Sequence, residues 1–106
     1  MLVIKHGKSI RGIRPEIVLA ATIIHHVYKN YGYDECTITS CTGGRHGRGS
    51  LHYVGAAIDI RTSDVAEDRK APIRDSISSV LGSEFDVVLE PTHIHVEFQP
   101  KEPING

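Results

Sequence analysis

Apolar positions in the first third of the chain recur at helical spacing. Ile17, Ala20, Ala21, Ile24, Val27 and Tyr28 fall on one stripe. Pro15 has a preset φ and no N–H to satisfy, so it suits a first helical position, and Gly32 is a natural stop. The spacing predicts a helix of about four turns whose broad stripe can lie on a sheet. Cys36 to Ser40 reads as a short strand. From Ala56 to Arg61 the pattern alternates, with Ile58 and Ile60 on one face and Ala57, Asp59 and Arg61 on the other. Ser63 or Asp64 can cap a second helix. Pro72 is tolerated only near a helix start, which places this helix at about Arg69–Leu81, ended by Gly82. Phe85–Glu90 and His93–Phe98 read as two strands of a hairpin around Pro91-Thr92. Leu2-Val3-Ile4 is an edge strand or an extended arm. The expected fold is α+β: a small, mainly antiparallel sheet with helices on one face.

Length and composition narrow the picture. At 106 residues the chain is one domain, spanning 1–106, with a single modest core. A net charge of −1 gives no electrostatic reason to expect nucleic acid or an anionic membrane as partner. No apolar run approaches a membrane span. The N-terminal apolar run is too short for a signal peptide, so a cytoplasmic protein is expected; a monomer is expected as well. Cys36 and Cys41 are separated by a predicted strand. An extended strand holds their Cα atoms beyond the roughly 7 Å that a disulfide can bridge, so reduced thiols are expected.

The candidate chemistry lies in two segments. Ser50-Leu51-His52-Tyr53-Val54-Gly55-Ala56-Ala57-Ile58-Asp59 places a histidine and an aspartate around a small-residue turn. Further on, His93-Ile94-His95 adds two imidazoles. On its strand, His93, His95 and Glu97 share one face, and Ile94, Val96 and Phe98 share the other. If the apolar faces of both strands cover the helices, Asp59 and His95 emerge together on the open face. Ala57 on that face leaves room for a metal, and His52 can fold back toward Asp59. Imidazole and carboxylate are good Zn²⁺ ligands, and three of them leave a fourth position for water, the form of a catalytic site. A lone His-x6-Asp would read as a hydrogen-bonded pair steadying a loop; the full pattern with His-x-His turns the reading to zinc. There is no His-Glu-x-x-His, and the glycine-rich loop 42–49 lacks the Gly-Lys-Ser/Thr ending of a phosphate loop.

Ser-x-His-x-x-Gly-x-Ala-x-Asp followed by His-x-His resembles the zinc D-alanyl-D-alanine carboxypeptidases, a family that includes phage endolysins. It also resembles the signalling domain of hedgehog proteins, which shares that fold; Ser50-Leu51-His52-Tyr53, Gly55, Asp59 and Thr62-Ser63-Asp64 are especially hedgehog-like. The resemblance covers about Thr37 to Phe98. It implies one Zn²⁺ held by His52, Asp59 and His95, and a peptidase acting on peptidoglycan stem peptides. The cut would be that of a D,D-carboxypeptidase or of an L-Ala-D-Glu-type endopeptidase.

The resemblance also implies roles for further residues. Glu90 is the expected general base, with Glu97 as the runner-up. His93 is expected beside the metal, although Glu90-Pro91-Thr92-His93 also matches a Glu-x-x-His branch in which His93 would be the ligand. Family members carry an arginine upstream of the first ligand that holds a substrate carboxylate or carbonyl. Arg45 is the expected counterpart, with Arg48 as the alternative, and a guanidinium suits bidentate carboxylate binding. His46 matches a histidine found before the metal motif in hedgehogs. Ser50 reads as a hydrogen-bond partner, and His6, His25 and His26 as ordinary histidines. The competing function is a zinc-stabilised binding module without peptidase activity, as hedgehog likeness allows. The acidic calcium-binding residues of hedgehog domains are not evident upstream of the motif, which argues against a receptor-binding role.

Overall fold

The computed structural model describes residues 1–42 and 55–100. Seven elements follow in the order β1 (Leu2–Ile4), α1 (Pro15–Asn30), β2 (Cys36–Ser40), β3 (Ala57–Arg61), α2 (Glu67–Leu81), β4 (Phe85–Leu89) and β5 (His93–Phe98). The five strands form one sheet in the order β1-β2-β3-β5-β4. Only β1 and β2 pair in parallel; the other three pairings are antiparallel. The fold is the expected α+β class, and Leu2–Ile4 is an edge strand.

The alternation along β3 and β5 is what builds the domain. Ile58, Ile60, Ile94 and Val96 are fully buried, and they join Ile17 and Ile24 of α1 and Ile73 and Ile77 of α2 in one core. Each such burial stabilises by roughly 1.5–3 kcal/mol relative to exposure. Tyr28 extends the core to its polar limit: its ring is buried and its hydroxyl donates to the Arg61 carbonyl at 2.7 Å. Helix α1 has Pro15 in its first turn, as expected. Its end is closed by the Gly32 and Tyr33 N–H groups donating to the Lys29 and Tyr28 carbonyls.

Helix α2 starts earlier than the proline placement suggests. It begins at Glu67, with Pro72 inside it and no side-chain cap, so neither Ser63 nor Asp64 caps the helix. Pro72 is exposed and so is Asp68, whose carbonyl loses its intrahelical donor. The missing bond therefore falls on the solvent side, where a proline is least costly. Glu67 and Asp68 in the first turn favour the positive end of the helix dipole in place of a cap.

Cys36 and Cys41 are buried thiols of the core, with no disulfide between them. Burial pushes the Cys36 thiol up to about 12 and also raises Cys41. Among the described residues, no helix is long and apolar enough to cross a membrane.

Candidate metal centre

The open face of the sheet carries the polar residues of β3 and β5. Antiparallel register places Asp59 directly across from His95, Arg61 from His93 and Ala57 from Glu97. Directly opposed side chains lie close enough to bond. His95 Nδ1 lies 2.9 Å from Asp59 Oδ1, and His95 Nε2 lies 2.8 Å from Glu97 Oε1. The imidazole is thus held at both nitrogens by carboxylates, half-buried on the sheet. The Asp59 hydrogen bond is the largest cause raising His95, to about 9; burial opposes it and Glu97 adds to it.

His93 stands beside this pair. Its Nε2 is 3.7 Å from Asp59 Oδ1, and its Nδ1 is 3.1 Å from the Thr92 hydroxyl. Both histidines of the His-x-His segment therefore turn toward the same carboxylate oxygen, with His95 the nearer.

Glycine is required at the entry to β3. Gly55 has φ +73°, a left-handed conformation, and a Cβ there would collide with the Gly12 carbonyl. The Gly55 carbonyl accepts from the Arg14 N–H at 3.0 Å, which ties the start of β3 to the start of α1. This anchors the C-terminal end of the segment that carries His52. The expected small-residue turn thus has a tertiary reason as well as a local one.

His52, Arg45, His46, Arg48 and Ser50 lie outside the described residues. The geometry therefore brings together Asp59, His95, His93 and Glu97. Among the described residues, no three His, Cys, Asp or Glu side chains form a metal-binding group. Asp59 and His95 by themselves are a suitable pair of donors. Two donors on one tetrahedral zinc, each roughly 2.0–2.1 Å from it, stand about 3.3 Å apart. The observed 2.9 Å need open by only a few tenths of an ångström. A neutral His95 presenting Nδ1 to the metal would keep its Nε2–H on Glu97. Such an outer carboxylate fixes the tautomer and orientation of a metal-bound histidine. Glu97 is therefore placed to hold the ring.

Glu90 sits differently. Its N–H donates to the His93 carbonyl at 2.8 Å, which puts it opposite His93 just beyond β4. Among the described residues, its carboxylate makes no hydrogen bond or ion pair. Glu90 lines a hollow with Glu67, Lys70 and Ala71 of α2. Of the two glutamates, it is Glu97 that contacts His95, whose strand face it shares. Strand parity puts Glu97 on this face, whereas the expectation of Glu90 as the base rests on the motif.

No protein-family model matches the chain, and no curated protein is significantly similar to it.

Proposed function

We propose that this chain is a zinc peptidase of the D-alanyl-D-alanine carboxypeptidase type. Its metal would be held by His52, Asp59 and His95, and its substrate would be peptidoglycan stem peptide. The observation that carries the reading is the cross-strand pair of Asp59 and His95, with Nδ1 and Oδ1 2.9 Å apart on the open sheet face. It coincides with the sequence pattern that nominated the same two residues. Zinc held at this position would supply Lewis-acid polarisation of a peptide carbonyl and acidification of water.

The chain's own residues divide the remaining work. Asp59 and His95 orient each other, and Glu97 holds His95 from behind. His93, 3.7 Å from Asp59, stands where a protonated imidazole would stabilise negative charge developing on a carbonyl oxygen. Glu90, next to His93 across the hairpin, is the proton acceptor from attacking water and the donor to the leaving amine. Arg45 and His46 would hold substrate from the loop. The protein acts as a monomer, without nucleic acid or membrane.

A second reading has its own support. The Glu90 carboxylate has no bonded contact with the pair, as a zinc-stabilised binding module without catalysis would allow.

Elemental analysis and incubation with purified muropeptides, followed by mass spectrometry, separate the two. The peptidase takes up one zinc per chain and releases cleaved stem peptide. Asp59→Ala loses zinc while keeping the fold. Glu90→Gln retains zinc and loses activity by roughly 10²-fold or more. Full activity in Glu90→Gln would transfer the proton-accepting role elsewhere, with Glu97 the first candidate. Absence of stoichiometric zinc refutes the reading, and zinc without hydrolysis favours the binding module.

A further inference from the structure

An apolar groove of about 270 Å³ lies on the helix side of the sheet, away from the Asp59–His95 pair. Helix α1 forms one wall with Leu19, Ala20 and Ile23, and the last turn of α2 forms the other with Val80 and Leu81. Phe85 and Phe98 close it, their ring centroids 5.2 Å apart. Glu16, Leu19, Ala20 and Ile23 stand at i, i+3, i+4 and i+7, so α1 carries a second stripe beside the one buried in the core.

Two features set this groove apart from ordinary surface. Leu19 and Val80 on its walls are 66% and 60% exposed. A scattered exposed aliphatic is normal, but these two come from different helices and flank one groove. The charge is one-sided as well: Glu16 and Glu84 line the groove, and among the described residues no Lys, Arg or His does. Glu16 Oε2 is buried with no hydrogen-bond partner. Its Oε1 lies 3.9 Å from Arg14 Nη2, beyond hydrogen-bond length. A buried carboxylate oxygen without a donor is destabilising, and a cation brought by a partner supplies that donor.

We infer that this groove docks a basic amphipathic helix of a partner protein, with aliphatic side chains between α1 and α2 and a Lys or Arg on Glu16. The groove is smaller than the roughly 300–1,000 Å³ of small-molecule pockets, and a ligand inside it would leave the outer faces of Leu19 and Val80 in water. A helix about 10–12 Å in diameter covers walls and floor together, and a stripe at i, i+3, i+4 and i+7 is the surface that such a helix packs on. Two carboxylates disfavour an anionic lipid surface in its place. The docking is independent of the zinc reading, because the groove and the Asp59–His95 pair lie on opposite sides of the sheet.

The test is a nuclear magnetic resonance titration of the full chain with a synthetic helix, Lys-Leu-Ala-Lys-Leu-Ala-Lys written twice, and with the same peptide carrying Glu for every Lys. The basic peptide is expected to shift the Leu19, Ile23, Val80 and Phe98 resonances and to bind at least about tenfold more tightly than the acidic one. Leu19→Ser should weaken it by roughly tenfold and Glu16→Gln by roughly fivefold. Val80→Ser, in the other helix, should repeat the Leu19→Ser loss and keeps the test decisive if one variant folds poorly. No binding of the basic peptide overturns the proposal, as does equal binding of the two peptides or undiminished binding in Leu19→Ser and Glu16→Gln. A dimer of the free chain in sedimentation equilibrium that Leu19→Ser dissolves would give the groove to a second copy. Nuclear Overhauser contacts between Ile104 and Phe98 in the free chain would give it to the chain's own C-terminal end. Binding to anionic vesicles that Leu19→Ser abolishes would give it to a membrane. Each of these three outcomes also overturns the proposal.

Discussion

The two faces of the β3–β5 pair are made by the same ten or so residues and are held together by opposite means. On the helix side, Ile58, Ile60, Ile94 and Val96 are buried among many apolar neighbours from α1 and α2. On the open side, Asp59, His95, His93 and Glu97 meet through a few directed contacts of 2.8 to 3.7 Å. Apolar packing is non-directional and spread over many atoms, so one lost contact is partly compensated. The polar face has no such reserve. Moving a single carboxylate changes the charge state and orientation of the ring it holds. The apolar face sets stability, and the polar face sets chemistry at modest cost to the fold.

Removing one buried aliphatic side chain is the strongest way to break this division. Ile94→Ala should cost about 2–5 kcal/mol in urea denaturation through lost burial and a cavity. In the fraction that remains folded, the zinc stoichiometry should not change. A parallel loss of zinc affinity in the folded fraction would show that the two faces are not separable.

The polar face should reveal itself next through pH. In metal-free protein, His95 is raised from 6.5 to about 9, chiefly by Asp59. A raised folded-state value means that the stabilisation is full below about 6.5 and is lost as pH rises through about 9. The unfolding free energy of the metal-free chain, from urea titration, should therefore fall across this window, by about 3 kcal/mol at most. Asp59→Asn should flatten most of the dependence. Zinc bound as proposed would compete with the same proton, so apparent zinc affinity should keep rising toward pH 9. An imidazole with its ordinary value would instead give a fall as pH drops through about 6. A plateau above pH 7 would argue that the Asp59–His95 pair does not hold a proton in solution.

The smallest expected effect separates the two carboxylates. Glu97→Gln should weaken zinc by about 10- to 100-fold, since it loses the group that orients His95. Glu90→Gln should leave zinc affinity unchanged. The reverse order in isothermal titration would place Glu90, not Glu97, against the histidine proposed to bear the metal.

Much of this was legible from residue order. Helix α1 follows its apolar stripe and its Pro15 start, and the hairpin β4–β5 follows its alternation around Pro91-Thr92. Helix α2 begins two residues before the expected Arg69, because Pro72 does not mark its start. An exposed Pro72 is tolerated inside the helix where the unpartnered carbonyl faces solvent. The role of Glu97 was partly legible, since strand parity put it on the face of His95. The motif spacing drew attention to Glu90 instead.

By itself, the sequence determined parity: which residues of β3 and β5 face the helices and which face away. Period-two alternation is local, and burial of Ile58, Ile60, Ile94 and Val96 enforces it against a one-residue slip. Only the tertiary structure decided register. A slip of two residues would preserve both faces, yet would set Asp59 opposite His93 or Glu97 instead of His95. The observed pairing is decided by contacts distant in sequence. These are β2 against β3, β4 against β5, and the Gly12–Arg14 arm against Gly55. The same assembly brings Lys5 into one hollow with Arg61 and His93. Alternation can be read along one strand, whereas the partner of each residue depends on where the rest of the chain has packed.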